Sequence, residues 1–199
     1  WYQPLFDARS MELCGVEALA RWEHPHDGVL PPSRFLKVAE DLNVVTAIDS
    51  VILRKALSDF GRWRKAGLQV PAVSVNVSFR RLRDERLVAS LQDLTIEPGT
   101  LSFELLESIF LDDLDDMVGW NLDRIRELGI DLSIDDFGTG HASILSLLKL
   151  RPTRFKIDRQ FLGELGSSRS HQGLVGSLID IGRSLGIKVV AEGVETDEQ

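Results

Sequence analysis

Residues 131–138 read DLSIDDFG, and this stretch is the clearest indication of the fold class. It follows a segment whose apolar residues recur at helical spacing and which ends at Gly129, a residue type that commonly stops helices. Apolar and polar residues then alternate, which is the period of a β-strand. A helix, a glycine stop and a short strand make one unit of an α/β fold, and here the strand ends in a pair of acids.

The same order occurs three times along the chain. Apolar residues at helical spacing precede Gly67, Gly129 and Gly186, and a short β-rich run follows each glycine. The seven predicted strands are Trp1–Leu5, Leu13–Arg21, Ala72–Val77, Leu101–Leu105, Asp131–Asp135, Arg154–Ile157 and Ile187–Ala191. Because right-handed crossovers curl alternating strands and helices into a sheet covered by helices, we expect a TIM-like (β/α)8 barrel.

Two features make this barrel imperfect. The segment Asp7–Glu12 between the first two predicted strands is too short for a parallel crossover, so the first strand should be antiparallel to the second. An eighth strand would have to lie beyond Gln199, so the barrel is expected to be truncated before its last strand. We therefore expect residues 1–199 to be one domain, without its C-terminal part, from a larger multidomain signalling protein.

Composition excludes several classes of protein. Hydrophobic residues make up 43% of the chain, and no apolar run has the length needed to cross a bilayer. Cys14 is the single cysteine, which excludes an internal disulfide framework. The net charge of −8 argues against binding to a nucleic-acid polymer. We expect a cytoplasmic domain, with a membrane anchor elsewhere in the parent protein left open.

Strand parity gathers a set of polar residues on one face. Within each strand, apolar residues share one face and small or polar residues share the other. The polar faces end in Asn76, Glu104, Asp135, Lys156 and Glu192, all at the carboxyl ends of their strands, where barrel active sites are built. The same parity adds Glu17, Leu19 and Arg21 from the second strand.

This set of residues predicts a metal site. Carboxylates packed together repel one another, and a hard divalent cation relieves that repulsion. No histidine or cysteine joins the set, which favours Mg²⁺ or Mn²⁺ over zinc. Asp135 and Asp136 would face opposite sides in mid-strand, but a strand that ends there can turn both toward one centre, helped by Gly138 and Gly140. A pair of adjacent aspartates suits a two-metal site for phosphodiester hydrolysis.

Seven motifs, in order, resemble the EAL-domain cyclic di-GMP phosphodiesterases over essentially the whole chain. They are Tyr2-Gln3-Pro4, Glu17-Ala18-Leu19-Ala20-Arg21-Trp22, Ser74-Val75-Asn76-Val77-Ser78, Glu104-Leu105-Leu106-Glu107-Ser108, Asp135-Asp136-Phe137-Gly138-Thr139-Gly140, Phe155-Lys156-Ile157-Asp158 and Ala191-Glu192-Gly193-Val194-Glu195. The resemblance implies hydrolysis of cyclic di-GMP to linear pGpG in bacterial second-messenger signalling.

The resemblance also assigns roles to residues. It implies that one metal is held by Glu17, Asn76, Glu104 and Asp135, and a second by Asp135, Asp136 and Glu192. Lys156, Glu192 and Glu17 would be catalytic, with Lys156 positioning or polarising the attacking water. The implied contacts to the dinucleotide are Gln3, Leu19, Arg21, Asp158 and Glu195, and Glu107 would anchor the glycine loop that follows Asp136.

Some positions depart from the family pattern or have a structural interpretation. The family usually has tyrosine and serine where this chain has His141 and Ala142, which bears on loop dynamics and on coupling across the homodimer that the resemblance implies. The acidic run Asp112, Asp113, Asp115 and Asp116 looks metal-rich, but it stands at the start of a predicted helix, where negative charge is favoured by the helix dipole.

Three functions remain open at this point. The first is the phosphodiesterase, attached to an upstream sensory or GGDEF-like domain. The second is a non-catalytic cyclic di-GMP receptor, which keeps the ligand groove but loses metal ligands. The third is an enolase-like magnesium barrel acting on a carboxylate substrate, which shares the acid cluster but not Gln3, Arg21 or the glycine loop.

Overall fold

The computed structural model describes residues 1–107, 115–139, 144–163, 165 and 168–196. The chain divides into two compact units, one of Trp1–Phe103 with Met117–Ile130 and one of Glu104–Asp116 with Asp131–Gln199. The strands are β1 Tyr2–Phe6, β2 Leu13–Ala18, β3 Trp22–His24, β4 Gly28–Leu30, β5 Val73–Asn76, β6 Leu101–Leu106, β7 Asp131–Phe137, β8 Arg154–Ile157 and β9 Lys188–Ala191. The α-helices are α1 Leu36–Asp41, α2 Val45–Lys65, α3 Phe79–Leu82, α4 Leu87–Gln92, α5 Asp116–Glu127, α6 Ile144–Leu150 and α7 Arg169–Leu185, and short 3-10 helices span Pro32–Arg34 and Arg159–Phe161.

In the first unit, β1 and β2 form the antiparallel pair that the short connection predicts. Gln3 lies opposite Glu17, so their side chains share one face of the pair. The connecting turn is closed by the Asp7 carboxylate, which accepts the backbone N–H groups of Arg9 at 2.9 Å and Ser10 at 2.8 Å. On its other edge β2 pairs in parallel with β5. The predicted antiparallel start is therefore confirmed.

β2 is shorter than the sequence pattern predicts. It ends at Ala18, which lies opposite Tyr2, and the last bond to the neighbouring strand runs from the Leu19 N–H to the Trp1 carbonyl at 2.8 Å. The prediction of a strand through Arg21 is wrong, because the Ala20 carbonyl accepts a hydrogen bond from the Arg21 guanidinium and the chain leaves the sheet. The chain then enters the hairpin of β3 and β4, which the pattern did not predict.

In the second unit, β7, β8 and β9 form a parallel sheet. β8 pairs with β7 on one edge and with β9 on the other. Ile134 and Phe155 are fully buried, and so is Ser133 on the opposite parity. Burial on both faces is typical of parallel strands covered by crossover helices. The polar residues at these strand ends are therefore held by a rigid support.

The three predicted glycine stops all end helices by the same hydrogen bonds. At the end of α7, Gly186 takes the left-handed conformation with φ +68°, and the Ile187 N–H donates to the Gly182 carbonyl at 2.8 Å. The Gly186 N–H donates to the Arg183 carbonyl at 3.3 Å. This pair of bonds is a Schellman motif. Gly67 and Gly129 end α2 and α5 with the same two bonds, so the three helix ends are confirmed.

The short helices were not predicted. α1, α3, α4 and α6 each have seven residues or fewer, too few for a helical apolar period to stand out. α5 begins at Asp116, in keeping with an acid in its first turn, whereas Asp112 and Asp113 lie outside the described residues. Among the helices described, none combines the length and the apolar character that crossing a bilayer requires.

Candidate active site

A β-bulge in β7 places two acids side by side. Ile134 lies opposite Phe155 on β8, but Phe137 lies opposite Ile157, so β7 has one residue more than β8 over this stretch. Asp136 takes the left-handed conformation with φ +56°, which is uncommon for a residue with a side chain. Carboxylate oxygens of Asp135, Asp136 and Glu192 all lie within 4.8 Å of one another.

The sequence pattern predicted the convergence of the two aspartates but not its cause. It assumed that the strand ends at Asp135 and that Gly138 and Gly140 give the backbone the freedom to turn. The strand in fact continues to Phe137, and the extra residue of the bulge turns Asp136. Gly138 is indeed left-handed, with φ +101°, whereas Gly140 lies outside the described residues.

Lys156 contacts three of the predicted acids. Its Nζ lies 3.0 Å from Glu104 Oε2, 3.1 Å from Asp135 Oδ1 and 2.6 Å from Glu192 Oε1. The Lys156 and Glu104 side chains are 6% and 3% exposed, so the charges interact with little screening by water. Burial of a lysine is costly unless carboxylates pair with it, and here they do. The structure thus brings together four residues that strand parity had gathered.

The second aspartate sits in a strongly negative environment. Burial raises the pKa of Asp136 to about 6, and the neighbouring Asp135, a hydrogen bond with Asp158 and the charge of Glu192 act in the same direction. One ammonium group therefore does not balance the acids around Asp136. A divalent cation bound to these oxygens would lower this pKa and supply the missing positive charge.

Glu107 and Thr139 tie the segment after the bulge to the end of β6. Glu107 is buried, and its Oε2 accepts both the backbone N–H and the hydroxyl of Thr139 at 2.8 Å. The Thr139 hydroxyl also lies 3.1 Å from the Asp136 carbonyl. The carboxylate of Glu107 is therefore linked, through one threonine, to the backbone of the second aspartate. Sequence reasoning missed Thr139, and the signal that could have found it is a hydroxyl residue between two glycines just after the acid pair.

The Asp158 carboxyl group contacts a backbone N–H and a second carboxyl group. Its carboxylate Oδ1 accepts the Gln160 N–H at 2.7 Å, which caps the 3-10 helix Arg159–Phe161. Asp158 also shares a hydrogen bond with the Asp136 side chain. Glu195, predicted from the resemblance to line the site, is exposed.

In the first unit, the predicted residues of β2 and β5 lie close together. The Asn76 side-chain amide donates to Glu17 Oε1 at 2.9 Å. Gln3 stands directly opposite Glu17 in the antiparallel pair. The structure therefore brings Glu17 and Asn76, which strand parity places on one face, together with Gln3, which the resemblance adds.

Leu19 and Arg21 line a cavity of about 350 Å³ in the first unit. Trp1, Tyr2, Ile52 and Lys55 are among its other lining residues. The Arg21 guanidinium donates to the Ala20 carbonyl at 2.7 Å, and its Cζ lies 5.7 Å from the centre of the Trp1 ring. Lys55 adds a second cation that the sequence pattern did not single out, because it lies on α2 rather than on a strand.

The donor set fits a hard divalent cation. Asp135, Asp136 and Glu192 offer carboxylate oxygens only, and no histidine or cysteine belongs to this group within the residues described. Oxygen ligands are those that Mg²⁺ and Mn²⁺ prefer. The clustered acids can therefore bind a metal, in agreement with the prediction. His141 and Ala142, the two departures from the family pattern, lie outside the described residues.

The family model named EAL domain matches residues 1–199. The oxygen sensor protein DosP of Escherichia coli strain K12 is 36% identical over 202 residues, which cover all of this chain and 25% of that protein. The bifunctional diguanylate cyclase/cyclic di-GMP phosphodiesterase MucR of Pseudomonas aeruginosa is 36% identical over 202 residues, covering all of this chain and 29% of that protein. The chain thus spans about a quarter of the length of these curated relatives.

A solved structure of the PaMucR phosphodiesterase in complex with c-di-GMP superposes with a TM-score of 0.89. The match has 36% sequence identity and covers 98% of this chain and 81% of that one. This likeness confirms the predicted TIM-like α/β fold class.

Proposed function

Because the chain belongs to the EAL domain family, we propose that it is a divalent-metal-dependent phosphodiesterase that hydrolyses cyclic di-GMP to linear pGpG. The observation that carries the proposal is the position of Lys156, whose Nζ contacts Glu104, Asp135 and Glu192. The substrate is inferred from MucR, which is named as a cyclic di-GMP phosphodiesterase and whose solved structure is a complex with c-di-GMP.

The second metal of the predicted pair would be held by Asp135, Asp136 and Glu192. Their carboxylate oxygens lie within 4.8 Å of one another, close enough to bind one cation. The resemblance assigns the first metal to Glu17, Asn76, Glu104 and Asp135. Mg²⁺ or Mn²⁺ suits these oxygen donors. When bound, the two cations would acidify a water and neutralise the phosphodiester.

The chain's own residues would then orient the reaction. Lys156 can direct its ammonium protons toward the water oxygen, while Glu192 and Glu17 can accept the proton that the water gives up. The water oxygen bonds to phosphorus as the bond to the ribose 3′ oxygen breaks, and the 3′ oxygen takes up the proton that the carboxylate accepted from the water. The product carries one 5′ phosphate and one free 3′ hydroxyl, which is linear pGpG.

Binding of the dinucleotide is assigned to Gln3, Leu19, Arg21, Asp158 and Glu195 from the resemblance. Arg21 would pair with a phosphate, a role that suits a guanidinium because its parallel donors match phosphate oxygens. The cavity beside Leu19 and Arg21 supports this assignment. Glu107 would anchor the glycine loop through its two hydrogen bonds to Thr139.

The setting of this activity is also proposed. The relatives extend far beyond the matched region, which supports a linked sensory or GGDEF-like domain upstream. A homodimer and a cytoplasmic location of the domain are expected from the resemblance and from composition.

The proposal is tested with purified protein, cyclic di-GMP and either Mg²⁺ or Mn²⁺, with the products separated by chromatography. We expect linear pGpG, loss of turnover with a chelator, and loss of turnover in Asp135→Asn. Asp180→Asn, which changes an exposed acid on α7, is the control and should retain activity. No product at saturating substrate would overturn the enzyme proposal, and tight binding without hydrolysis would favour the receptor alternative.

A further inference from the structure

Asp136 and Glu192 come from strands that do not pair with each other. β7 and β9 each pair with β8, which lies between them. Since neighbouring strands lie about 4.8 Å apart, β7 and β9 are separated by roughly 10 Å. Even so, carboxylate oxygens of Asp136 and Glu192 lie within 4.8 Å of each other. Something must hold the two strand ends at the separation that lets these side chains meet.

The turn that follows β8, residues 158–162, lies between the two segments and is itself rigid. The Asp158 carboxylate accepts the Gln160 N–H at 2.7 Å, and the Asp158 carbonyl accepts the Phe161 N–H at 3.1 Å. Leu162 is 2% exposed, so its side chain anchors the turn in the core of the second unit. Because the turn is held at its start by these hydrogen bonds and at its end by Leu162, segments that pack on its two sides are kept at a fixed separation.

One face of the turn contacts the segment after β7. A Cβ atom placed on Gly138 would lie 2.9 Å from Phe161 Cε2 and 3.1 Å from its Cζ. The aromatic ring therefore lies directly against the glycine backbone, with no space for a side chain. Gly138 follows Asp136 by two residues, so the ring supports the backbone that carries the bulge.

The other face contacts the segment after β9. A Cβ atom placed on Gly193 would lie 2.7 Å from the Cβ of Arg159. Gly193 is adjacent to Glu192, whose backbone N–H donates to the Ile157 carbonyl at 3.2 Å just before the turn. The same short turn therefore touches the backbone beside each of the two carboxylates, on opposite sides.

We propose that residues 158–162 act as a spacer that fixes the separation of the Asp136 and Glu192 carboxylates, with Phe161 as the positioning residue on the β7 side. The test of this spacer measures Mn²⁺ affinity and therefore rests on the proposed metal-dependent function. Phe161 touches no reacting group; it acts through the backbone of Gly138. Its replacement should therefore weaken metal binding before substrate is added.

The test measures Mn²⁺ binding by calorimetry and by electron paramagnetic resonance, without nucleotide. Phe161→Ala should raise the dissociation constant for Mn²⁺ about tenfold or more, the size expected when a residue that supports metal ligands is lost. Phe161→Leu keeps part of the apolar contact and should fall between Phe161→Ala and the unmodified protein. Leu178→Ala, which truncates a buried residue on α7, should lower the unfolding temperature but leave Mn²⁺ affinity unchanged.

The outcomes separate the spacer from the function on which it rests. If the unmodified protein does not bind Mn²⁺, the metal-dependent function is wrong. If it binds Mn²⁺ and folded Phe161→Ala binds equally well, the function stands and the spacer is wrong. Equal losses of affinity in Phe161→Ala and Leu178→Ala would show that general stability sets the affinity, which also overturns the spacer.

Discussion

Lys156 Nζ lies 2.6 Å from Glu192 Oε1, and the two residues belong to consecutive strand ends of the parallel sheet. Glu192 is one residue past β9, whereas Lys156 is inside β8. The contact therefore joins a rigid lysine to an acid on a segment that has left the sheet. In the metal-free protein Lys156 therefore neutralises part of the negative charge of Glu104, Asp135 and Glu192, and its environment changes with any change in their charge.

Lys156→Met should strongly reduce turnover and destabilise the metal-free fold. Its loss leaves Glu104, Asp135 and Glu192 without this buried partner, and breaking a buried ion pair typically costs about 3–5 kcal/mol. We expect kcat to fall by at least about 100-fold, the usual scale for a group that moves or orients a proton. Urea unfolding at pH 7 and initial rates at saturating substrate measure the two effects.

Mn²⁺ should restore part of the stability of Lys156→Met, because a cation can replace the lost positive charge. Lys149→Met, which removes an exposed lysine from α6, is the matched control and should change neither quantity. A stable and active Lys156→Met protein would contradict the role given to this lysine.

Tyr2 should titrate well above the ordinary pKa of tyrosine. Burial raises its pKa, and the hydrogen bond from its hydroxyl to Asp59 Oδ2, 2.6 Å long, acts in the same direction. Tyr2 is the single tyrosine of the chain, so phenolate absorbance reports on it directly. Asp59→Asn should move the titration midpoint down toward the ordinary value of about 10.

The same hydrogen bond should give a pH-dependent stability. The pKa of Tyr2 is higher in the folded protein than in the unfolded chain, where it is about 10. Its contribution to the free energy of unfolding is therefore complete below a pH of about 10 and is lost as the pH rises toward the pKa of the folded state. Tyr2→Phe should cost about 1.5–3 kcal/mol at pH 7, the usual value of a hydrogen bond to a charged group. The difference between the two proteins should shrink in alkaline urea titrations; a difference independent of pH would contradict this account.

Gly182→Ala should destabilise the protein by about 1–3 kcal/mol, the range for overpacking. A Cβ there would clash with Val189 Cγ2 and lie 3.0 Å from the Ile187 carbonyl oxygen, so α7 could not approach β9 as closely. Gly176→Ala on the same helix meets no atom within 4 Å and should stabilise by about 0.5–1 kcal/mol. Chemical unfolding should therefore show a lower free energy of unfolding for Gly182→Ala and a higher one for Gly176→Ala. Changes of the same sign in the two variants would contradict the packing argument.

Thr139→Val should reduce turnover about tenfold or more while Thr139→Ser retains it. Valine keeps the shape of the side chain but removes the hydroxyl, whose one proton is donated to Glu107 Oε2 at 2.8 Å, and leaves residue 139 with its backbone N–H as its contact to that carboxylate. Serine keeps the hydroxyl. Rates measured over a range of Mn²⁺ concentrations should show that the valine variant needs more Mn²⁺ for half-maximal turnover. Equal Mn²⁺ concentrations at half-maximal turnover in the two variants would argue against a role for the Thr139 hydroxyl.

The helix ends were readable from sequence because they depend on local chemistry. Gly67, Gly129 and Gly186 stop their helices through bonds within a few residues of each glycine. Strand parity likewise placed Asp135, Lys156 and Glu192 correctly, since side chains alternate in any regular strand. These features need no knowledge of what packs against the strand.

The extent of β2 and the orientation of Asp136 could not be predicted in the same way. β2 stops at Ala18 although the alternation continues to Arg21, because the next hairpin begins at Trp22, and the bulge in β7 exists only relative to the register of β8. Both depend on pairing between segments, which the alternation within one strand does not report. The contacts of Phe161 and Arg159 with two glycines are hidden for the same reason.

The bulge in β7 means that the pairing of Asp135 with Asp136 is a matter of length as much as of chemistry. Removing one of the two residues between Ile134 and Phe137 would keep the apolar residues of the strand and every flanking helix. It would also leave equal numbers of residues on β7 and β8 over this stretch, with one acid where there are now two. A single-codon deletion at this point would therefore remove one of the proposed metal ligands while keeping the apolar residues of the strand, a change that comparisons based on substitutions alone would overlook.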